Sequence, residues 1–288
     1  MVDDKYTQGA DLLRHPVLPL VSMVQFLFMT GPFATVSELI DELPEPIETD
    51  MATYVNPRTI LSEYIDILSQ YEEMKEGGYP VIRVMDEENR GVDPYTAWNA
   101  YILQEVLTRE LERINSVLCA PCGCTLCCTG PDKNMEQEFF EIPLAPEELG
   151  LFDVSRCQSE ESRSRSAYDE DELMRDGQPF YRIPAPELFH WKNGWSLILP
   201  KGSRCPNLEP ENNRCLIYTE RPDVCRRPQI FPYVIEPLDE YVENKRSYRL
   251  RQVMLAVVDC PYVRDLRDEI AEYAAASELH LVLKENKA

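Results

Sequence analysis

Glycine is scarce in this chain, 11 among 288 residues, and histidine scarcer still, at three. Set beside 23 prolines, so little glycine points to stiff connections rather than to a glycine-rich cradle for phosphates. No phosphate-binding loop and no GxSxG nucleophile elbow occur. His15, His190 and His280 stand apart from the cysteines in sequence, which leaves a Cys–His nucleophile pair without support. Positive charge is short as well, with 29 Lys and Arg against 51 Asp and Glu and a net charge of −22. A surface that acidic repels phosphate backbones, so nucleic acid is excluded as a partner. The only dense basic stretch, Lys245, Arg246, Arg249 and Arg251, reads as a solvated edge facing acidic neighbours. Long hydrophobic runs are missing too. The best, Val17 to Met29, is interrupted by Pro19, Ser22 and Gln25. It is too short for a bilayer and reads as a buried helix, with no membrane as partner. Met1-Val2-Asp3-Asp4 is acidic where a secretory signal needs basic residues, so the expected compartment is the cytoplasm.

What is present begins with helix signals. Thr35 and Glu38 fit a capping box before a short helix ending near Leu43. Asn56-Pro57 is a cap followed by an N1 proline, and Ile60, Leu61, Tyr64, Leu68 and Tyr71 recur at helical spacing until Gly77-Gly78. Asp93-Pro94 opens a third helix, with Ala97, Tyr101, Leu107, Leu111 and Ile114 on its apolar face. Phe139 to Pro143 reads as a short strand leading into a helix start at Ala145-Pro146-Glu147-Glu148, and Trp195 to Leu199 and Arg249 to Val258 as further strands. Residues 157–178 are rich in Ser, Glu, Asp and Arg and read as a solvated acidic loop.

Against the scarcity of histidine stand ten cysteines. In a reducing compartment disulfides are disfavoured, and clustered cysteines hold metal or do redox chemistry. Five fall within Cys119-Ala-Pro-Cys122-Gly-Cys124-Thr-Leu-Cys127-Cys128. Two-residue gaps let a turn bring both sulfurs to one ion, and Gly123 opens backbone conformations closed to other residues. Cys205, Cys215 and Cys225 follow at even spacing, each beside turn chemistry (Pro206, Pro210, Asn212, Asn213, Pro222), and Cys260-Pro261 closes the series. Thiolates are soft ligands suited to zinc and to iron–sulfur clusters. Adjacent Cys127 and Cys128 point in different directions along most backbones and so serve different atoms.

The run Cys205-Pro-Asn-Leu…Arg214-Cys215-Leu-Ile-Tyr218-Thr-Glu-Arg221-Pro222-Asp-Val-Cys225-Arg226 resembles the second half of the CxxCxxCC zinc- or iron-chelating domain family. The YkgJ-like cysteine-cluster proteins belong to it, and flagellin lysine-N-methylases carry a related domain. Cys260-Pro261 is similar to the family's final Cys-Pro, and the resemblance covers about residues 117–265. In the first cluster Cys127-Cys128 takes the place of the paired cysteines and Cys124 the position before them. The family's first cysteine would then fall on Pro121, so either Cys119 or Cys122 takes that role. Counting one of these two gives eight thiolates, enough for two four-ligand sites, or for one site with a reserve for redox or exchange. Cys157 is spare.

The expected fold is α+β. A helical N-terminal region over 1–116 precedes a small cysteine-rich, metal-organised domain with short strands over 117–265, and a C-terminal helix fills 266–288. The metal candidates are Cys119, Cys122, Cys124, Cys127, Cys128, Cys205, Cys215, Cys225 and Cys260. Because no second CxxC follows at zinc-ribbon distance, an iron–sulfur cluster such as [4Fe–4S] is favoured over zinc. Arg221 and Arg226, flanking Cys225, either bond nearby carbonyls or offset thiolate charge. The function expected is electron transfer or metal handling with a protein partner. Two others stay open: a protein lysine methyltransferase-like enzyme, for which no donor motif is visible, and a structural zinc module for protein–protein interaction.

Overall fold

A computed structural model describes residues 4–285 except 79–81, 170, 171, 176, 228, 243 and 244, with the main chain alone at 239–242 and 245. The chain is α+β and divides into two compact units, one of Met1–Pro121 with Gln229–Glu285 and the other centred on Cys122–Pro228. The cysteine-bearing unit thus closes near residue 228, earlier than the expected 265, and the chain then returns to the helical unit.

In the first unit the helix opened by Asp93-Pro94 runs Pro94–Cys122, past the expected boundary at 116. The Asp93 carboxylate caps it, accepting from Thr96 N at 3.0 Å and Thr96 Oγ1 at 2.6 Å. Ile102, Val106, Leu107, Leu111, Ile114 and Leu118 are buried along one stripe. Leu18–Thr30 is the buried helix read from the sequence, with Leu20, Val21, Val24 and Phe28 fully enclosed. The stretch Asp4–Thr30 is long and apolar enough to cross a membrane by length and composition alone. Here it is broken between Thr7–Arg14 and Leu18–Thr30 and contributes to the core of its unit. The carboxy end of the second of these helices is closed by Lys75, whose ammonium donates to the carbonyls of Phe28, Gly31 and Phe33.

Two local readings need correction. The helix expected through Ile60–Tyr71 is three short ones, Pro57–Ser62, Ile65–Leu68 and Gln70–Lys75, and the Asn56 side chain does not cap the first. Thr35 does accept from Glu38 N at 3.1 Å, but the Glu38 carboxylate reaches Ala34 N rather than the amide of the cap residue. The C-terminal helix expected over 266–288 ends at Ala276. Glu278 turns left-handed at φ 55°, and His280–Lys284 is a strand; residues 286–288 lie outside the described set. The reason is tertiary. The long strand Lys245–Val257 pairs antiparallel with Ile230–Val242 on one edge, and its other edge takes up His280–Lys284 and Arg83–Met85, both parallel. The other edge of Ile230–Val242 is covered by amide side chains of the long helix. Gln104 Oε1 accepts from Val234 N and Ile235 N while its Nε2 donates to Pro232 O. Asn115 Nδ2 donates to Ile230 O, and Asn115 Oδ1 accepts from Tyr262 Oη, which itself accepts from Gln229 N. The basic stretch lies on the strand Lys245–Val257, which is paired on both sides, and so is not the solvated edge expected of it. Arg249 bonds Asn89, Arg251 pairs with Glu236, and Arg246 donates to Leu238 O; the Lys245 side chain lies outside the described set.

The second unit is built on a four-stranded sheet in the order Phe139–Leu144, Gly194–Pro200, Glu187–Trp191, Arg156–Cys157. Gly194–Pro200 lies inside the sheet with both faces covered, so Ser196 to Pro200 is buried without interruption. One face carries Leu144, Leu149, Phe152, Leu188, Leu197 and Leu199, with Cys205 packed against them. The other carries Ala167, Leu173, Phe180, Phe189, Trp191 and Ile198, with Cys157 packed against them. The expected acidic loop is therefore only partly a loop. A one-turn helix, Glu160–Ser164, and a small hairpin, Met174–Arg175 with Gln178–Pro179, lie within it, because Ala167 and Leu173 supply the apolar cover the second face requires. Glu170, Asp171 and Asp176 lie outside the described residues.

Candidate metal centre

Short backbone pairings bring the two cysteine clusters of the second unit together. Gly130 N donates to Ser203 O, Gly202 N to Pro131 O, and Cys205 N to Cys128 O at 2.8 Å. Segments 128–131 and 202–205 thus run side by side. The fit is tight at Gly130, where a Cβ would come within 2.0 Å of Pro200 O. From Cys205 the chain turns back at once. Leu208 N donates to Cys205 O, Leu208 bridges to Cys215, and Leu216 N donates to Asn207 O at 2.8 Å. Asn213 supplies the reversal at φ 58°. Cys205 and Cys215 therefore stand at the base of one small loop, which Asn207 ties to Leu151 O.

Cys225 reaches the same place from a third segment, the 3-10 turn Asp223–Cys225. Glu148 fixes that turn. One carboxylate oxygen accepts from Asp223 N at 2.8 Å and the other from Ala145 N at 2.8 Å. Sequence reasoning missed this residue. Glu148 sits three positions after Ala145 as in a capping box, but nothing local announces its second bond across 75 residues.

The chemistry of these thiols is set by burial and by each other. Burial pushes Cys225 up to about 12; the Cys205 thiolate adds to this, nearby Arg221 opposes it, and Cys215 and then Cys127 add further. Burial raises Cys205 as well, with Cys215 adding to it and an amide hydrogen bond from Asn207 opposing it. Cys205, Cys215 and Cys127 thus each act on Cys225, and Cys215 acts on Cys205, within this unit. Thiols whose ionisation is opposed by neighbouring thiolates, as at Cys225 and Cys205, suit a cation, since metal binding requires and stabilises thiolates. Arg221 is buried with its guanidinium 4.1 Å over the Tyr218 ring, placed to offset thiolate charge. Arg226 instead donates to the carbonyls of Arg221 and Thr219.

The remaining candidates fall elsewhere. The sulfurs of Cys122 and Cys124 lie within 4.8 Å of each other across Gly123, which is left-handed at φ 65°. Cys119 sits one turn before Cys122 on the long helix. Cys128 N donates to Thr125 O in a turn, and its carbonyl is the one that receives Cys205 N. Cys260 belongs to the first unit, 1% exposed, as the residue preceding the helix Pro261–Asp265. Cys157 packs on the face of the sheet opposite Cys205, its thiol raised by burial first.

No curated protein and no solved structure matches the chain. One family model does, that of CxxCxxCC, described as "Putative zinc- or iron-chelating domain", over residues 118–248. The match takes in every cysteine of the chain but Cys260. Residues 118–248, which hold Cys127, Cys205, Cys215 and Cys225, are the part of the chain that matches the CxxCxxCC domain.

Proposed function

We propose that this chain is an iron–sulfur protein whose centre is held by Cys127, Cys205, Cys215 and Cys225, and that it works in electron transfer or metal handling with a protein partner in the cytoplasm. The observation that carries this reading is that backbone pairing sets 128–131 beside 202–205 and puts Cys205 and Cys215 at the base of one loop, while Cys225 lies where Cys205, Cys215 and Cys127 all raise its thiol. A zinc ribbon draws its ligands from two CxxC knuckles. Here, after the first cluster, the donors stand ten residues apart on different turns. A bound [4Fe–4S] cluster would supply one-electron chemistry. The chain's own residues do the rest: the loop at 205–215 and the turn at 223–225 hold the sulfurs, Glu148 fixes the turn, and Arg221 offsets charge. Cys122, Cys124 and Cys128 are candidate ligands of a second site. Cys119 and Cys260 are further candidates from the sequence.

Zinc is the second reading, since four thiolates with a closed set of donors satisfy it equally and the domain family is described for either metal. Anaerobic purification followed by a visible spectrum, with iron, sulfide and zinc determinations, separates the two. A brown protein with iron and sulfide is the expected result. A colourless protein with stoichiometric zinc would replace the electron-transfer reading with a structural one, and a folded chain without metal would sink both.

A further inference from the structure

The sheet of the first unit ends on His280–Lys284, its outermost strand, parallel to Lys245–Val257. Lys284 pairs with Val257, and its carbonyl accepts from Val258 N at 3.0 Å. In a strand ladder the residues whose peptide groups bond the neighbour alternate with residues whose groups point away. His280, Val282 and Lys284 therefore turn their N–H and C=O groups toward Lys245–Val257, while those of Leu281 and Leu283 point outward. Among the described residues nothing bonds these outward groups. An open strand edge of this kind is a template for the addition of another strand. In a chain of net charge −22 this strand carries none of the 51 Asp and Glu. The outer face of the sheet is also apolar up to the edge. Register places Phe231, Leu255 and Val282 in one row across three strands and on one face. Phe231 and Leu255 are half-buried, and Val282 is 37% exposed. Met254 and Ala256, which point to the other face, are fully enclosed.

We infer that His280–Lys284 is the seam of a homodimer, pairing antiparallel with the same strand of a second copy about a two-fold axis at Val282. Register selects this occupant. Setting Leu281 opposite Leu283 of the second copy, and Leu283 opposite its Leu281, makes two hydrogen-bonded pairs. Every outward N–H and C=O of both copies is then satisfied at once. The same register brings Val282 against Val282 of the second copy, so the row Phe231, Leu255, Val282 runs on through the matching row in reverse order. Lys284 falls opposite His280 of the second copy, at the ends of the seam. A foreign extended segment would meet the same peptide groups, but it would have to supply its own apolar residues in step with this row. A second copy holds them already, and a two-fold contact of this kind closes at two. The inference does not rest on the metal reading, since all of these residues belong to the helical unit.

The test is sedimentation velocity of the full chain over a wide range of concentration, at low and at high salt. A dimer is expected, and salt should favour it, because two copies of so acidic a chain repel each other. Leu283→Pro removes an outward N–H while leaving the bonds to Lys245–Val257, since proline is tolerated where the N–H faces away from the sheet. It should weaken dimerisation roughly tenfold or more, one hydrogen bond being lost from each copy. Leu283→Ala keeps the N–H and should stay close to wild type. Val282→Lys should abolish the dimer by setting like charges opposite each other at the two-fold axis. Hydrogen exchange of the wild-type chain gives a reading that no misfolded variant can mimic. On dilution the amides of Leu281 and Leu283 should exchange faster, while that of Val282, bonded within its own chain, should not change. A chain that sediments as a monomer throughout overturns the inference. So does a dimer that both Leu283→Pro and Val282→Lys leave intact, or one whose dilution leaves exchange at Leu281 and Leu283 unaltered.

Discussion

Single residues in this chain carry consequences well beyond their own contacts, and Glu110 is the plainest case. Its carboxyl is buried in the first unit, accepting from Val17 N at 2.8 Å and Tyr273 Oη at 2.7 Å. Burial outweighs both bonds and the weaker pull of Arg113, raising it from the usual 4.5 to about 7. Below the lower value both the folded and the unfolded chain hold the proton. Between the two values the unfolded chain ionises while the folded one keeps its proton, so this group's contribution falls as pH rises and levels off above about 7. The loss is on the order of 3 kcal/mol. Glu110→Gln keeps the acceptor for Val17 and presents a donor to Tyr273. Compared by thermal melts at a series of pH values, the variant should gain on wild type as pH rises through this window and be the more stable above neutrality. A constant difference across the series would contradict the assignment. The cysteines give a second test at this scale. Cys225→Ser should abolish metal retention and Cys157→Ser should leave it intact, because Cys157 packs with Phe189 and Trp191 on the far face of the sheet. Metal per chain in the purified variants decides it, and loss in Cys157→Ser would mean that the donor set is wrong.

At the scale of elements, what holds the centre is backbone pairing between 128–131 and 202–205, and Gly130 is where that pairing is tightest. Gly130→Ala should force the strands apart, since the obstacle is the Pro200 carbonyl and not a side chain that can swing away. The expected cost is about 2 kcal/mol or more in urea unfolding, together with weakened metal retention. A variant that melts and binds metal like wild type would show that the strands have room to spare. In the other unit, Gln104→Leu would strip Val234 N, Ile235 N and Pro232 O of their partner at once, at about 1–3 kcal/mol for each group left buried and unsatisfied. Hydrogen exchange at Val234 and Ile235 should quicken first, and unchanged protection there would refute the edge-covering role. These elements also show what a sequence makes legible. The long helix was readable because Asp93-Pro94 and a sustained apolar stripe are local signals, and so was Phe139 to Pro143 as a strand. The single helix read through Ile60–Tyr71 failed because spacing does not report the breaks between turns. The strand His280–Lys284 was hidden because its five residues follow a strong helix and answer to a strand 27 residues upstream, Val253 pairing with His280. The cysteines announced a metal site by number and spacing, whereas their grouping did not follow from either. Cys225 joins Cys205 and Cys215 through a turn held by Glu148, a bond with no sequence signature.

For the whole molecule, the division into two units makes a prediction that no single residue makes. The helical unit owns a large apolar core, with Leu20, Val24, Phe28, Leu61, Leu68, Tyr71, Ile102 and Val106 enclosed, and needs no metal to bury it. The cysteine unit has two small clusters on either face of a four-stranded sheet, and the segments that bring its thiols together consist largely of turns. Domains with little core of their own draw folding energy from bound metal. Without a cation the half-buried thiols of Cys205 and Cys225, both raised, stay protonated, and their loops are left with a few backbone bonds. Removing metal with a strong chelator should therefore act unevenly. Hydrogen exchange should accelerate across Cys205 to Cys225 and around 124–131, while amides of the long helix between Ile102 and Ile114 keep their protection. Thermal unfolding of the chelated chain should show the transition of the cysteine unit moved down and that of the helical core retained. If chelation left both regions equally protected, the thiol group would be a packing feature and the energy of the second unit would have to come from its sheet. If it unfolded both together, the cores would depend on one another more than their separate clusters imply.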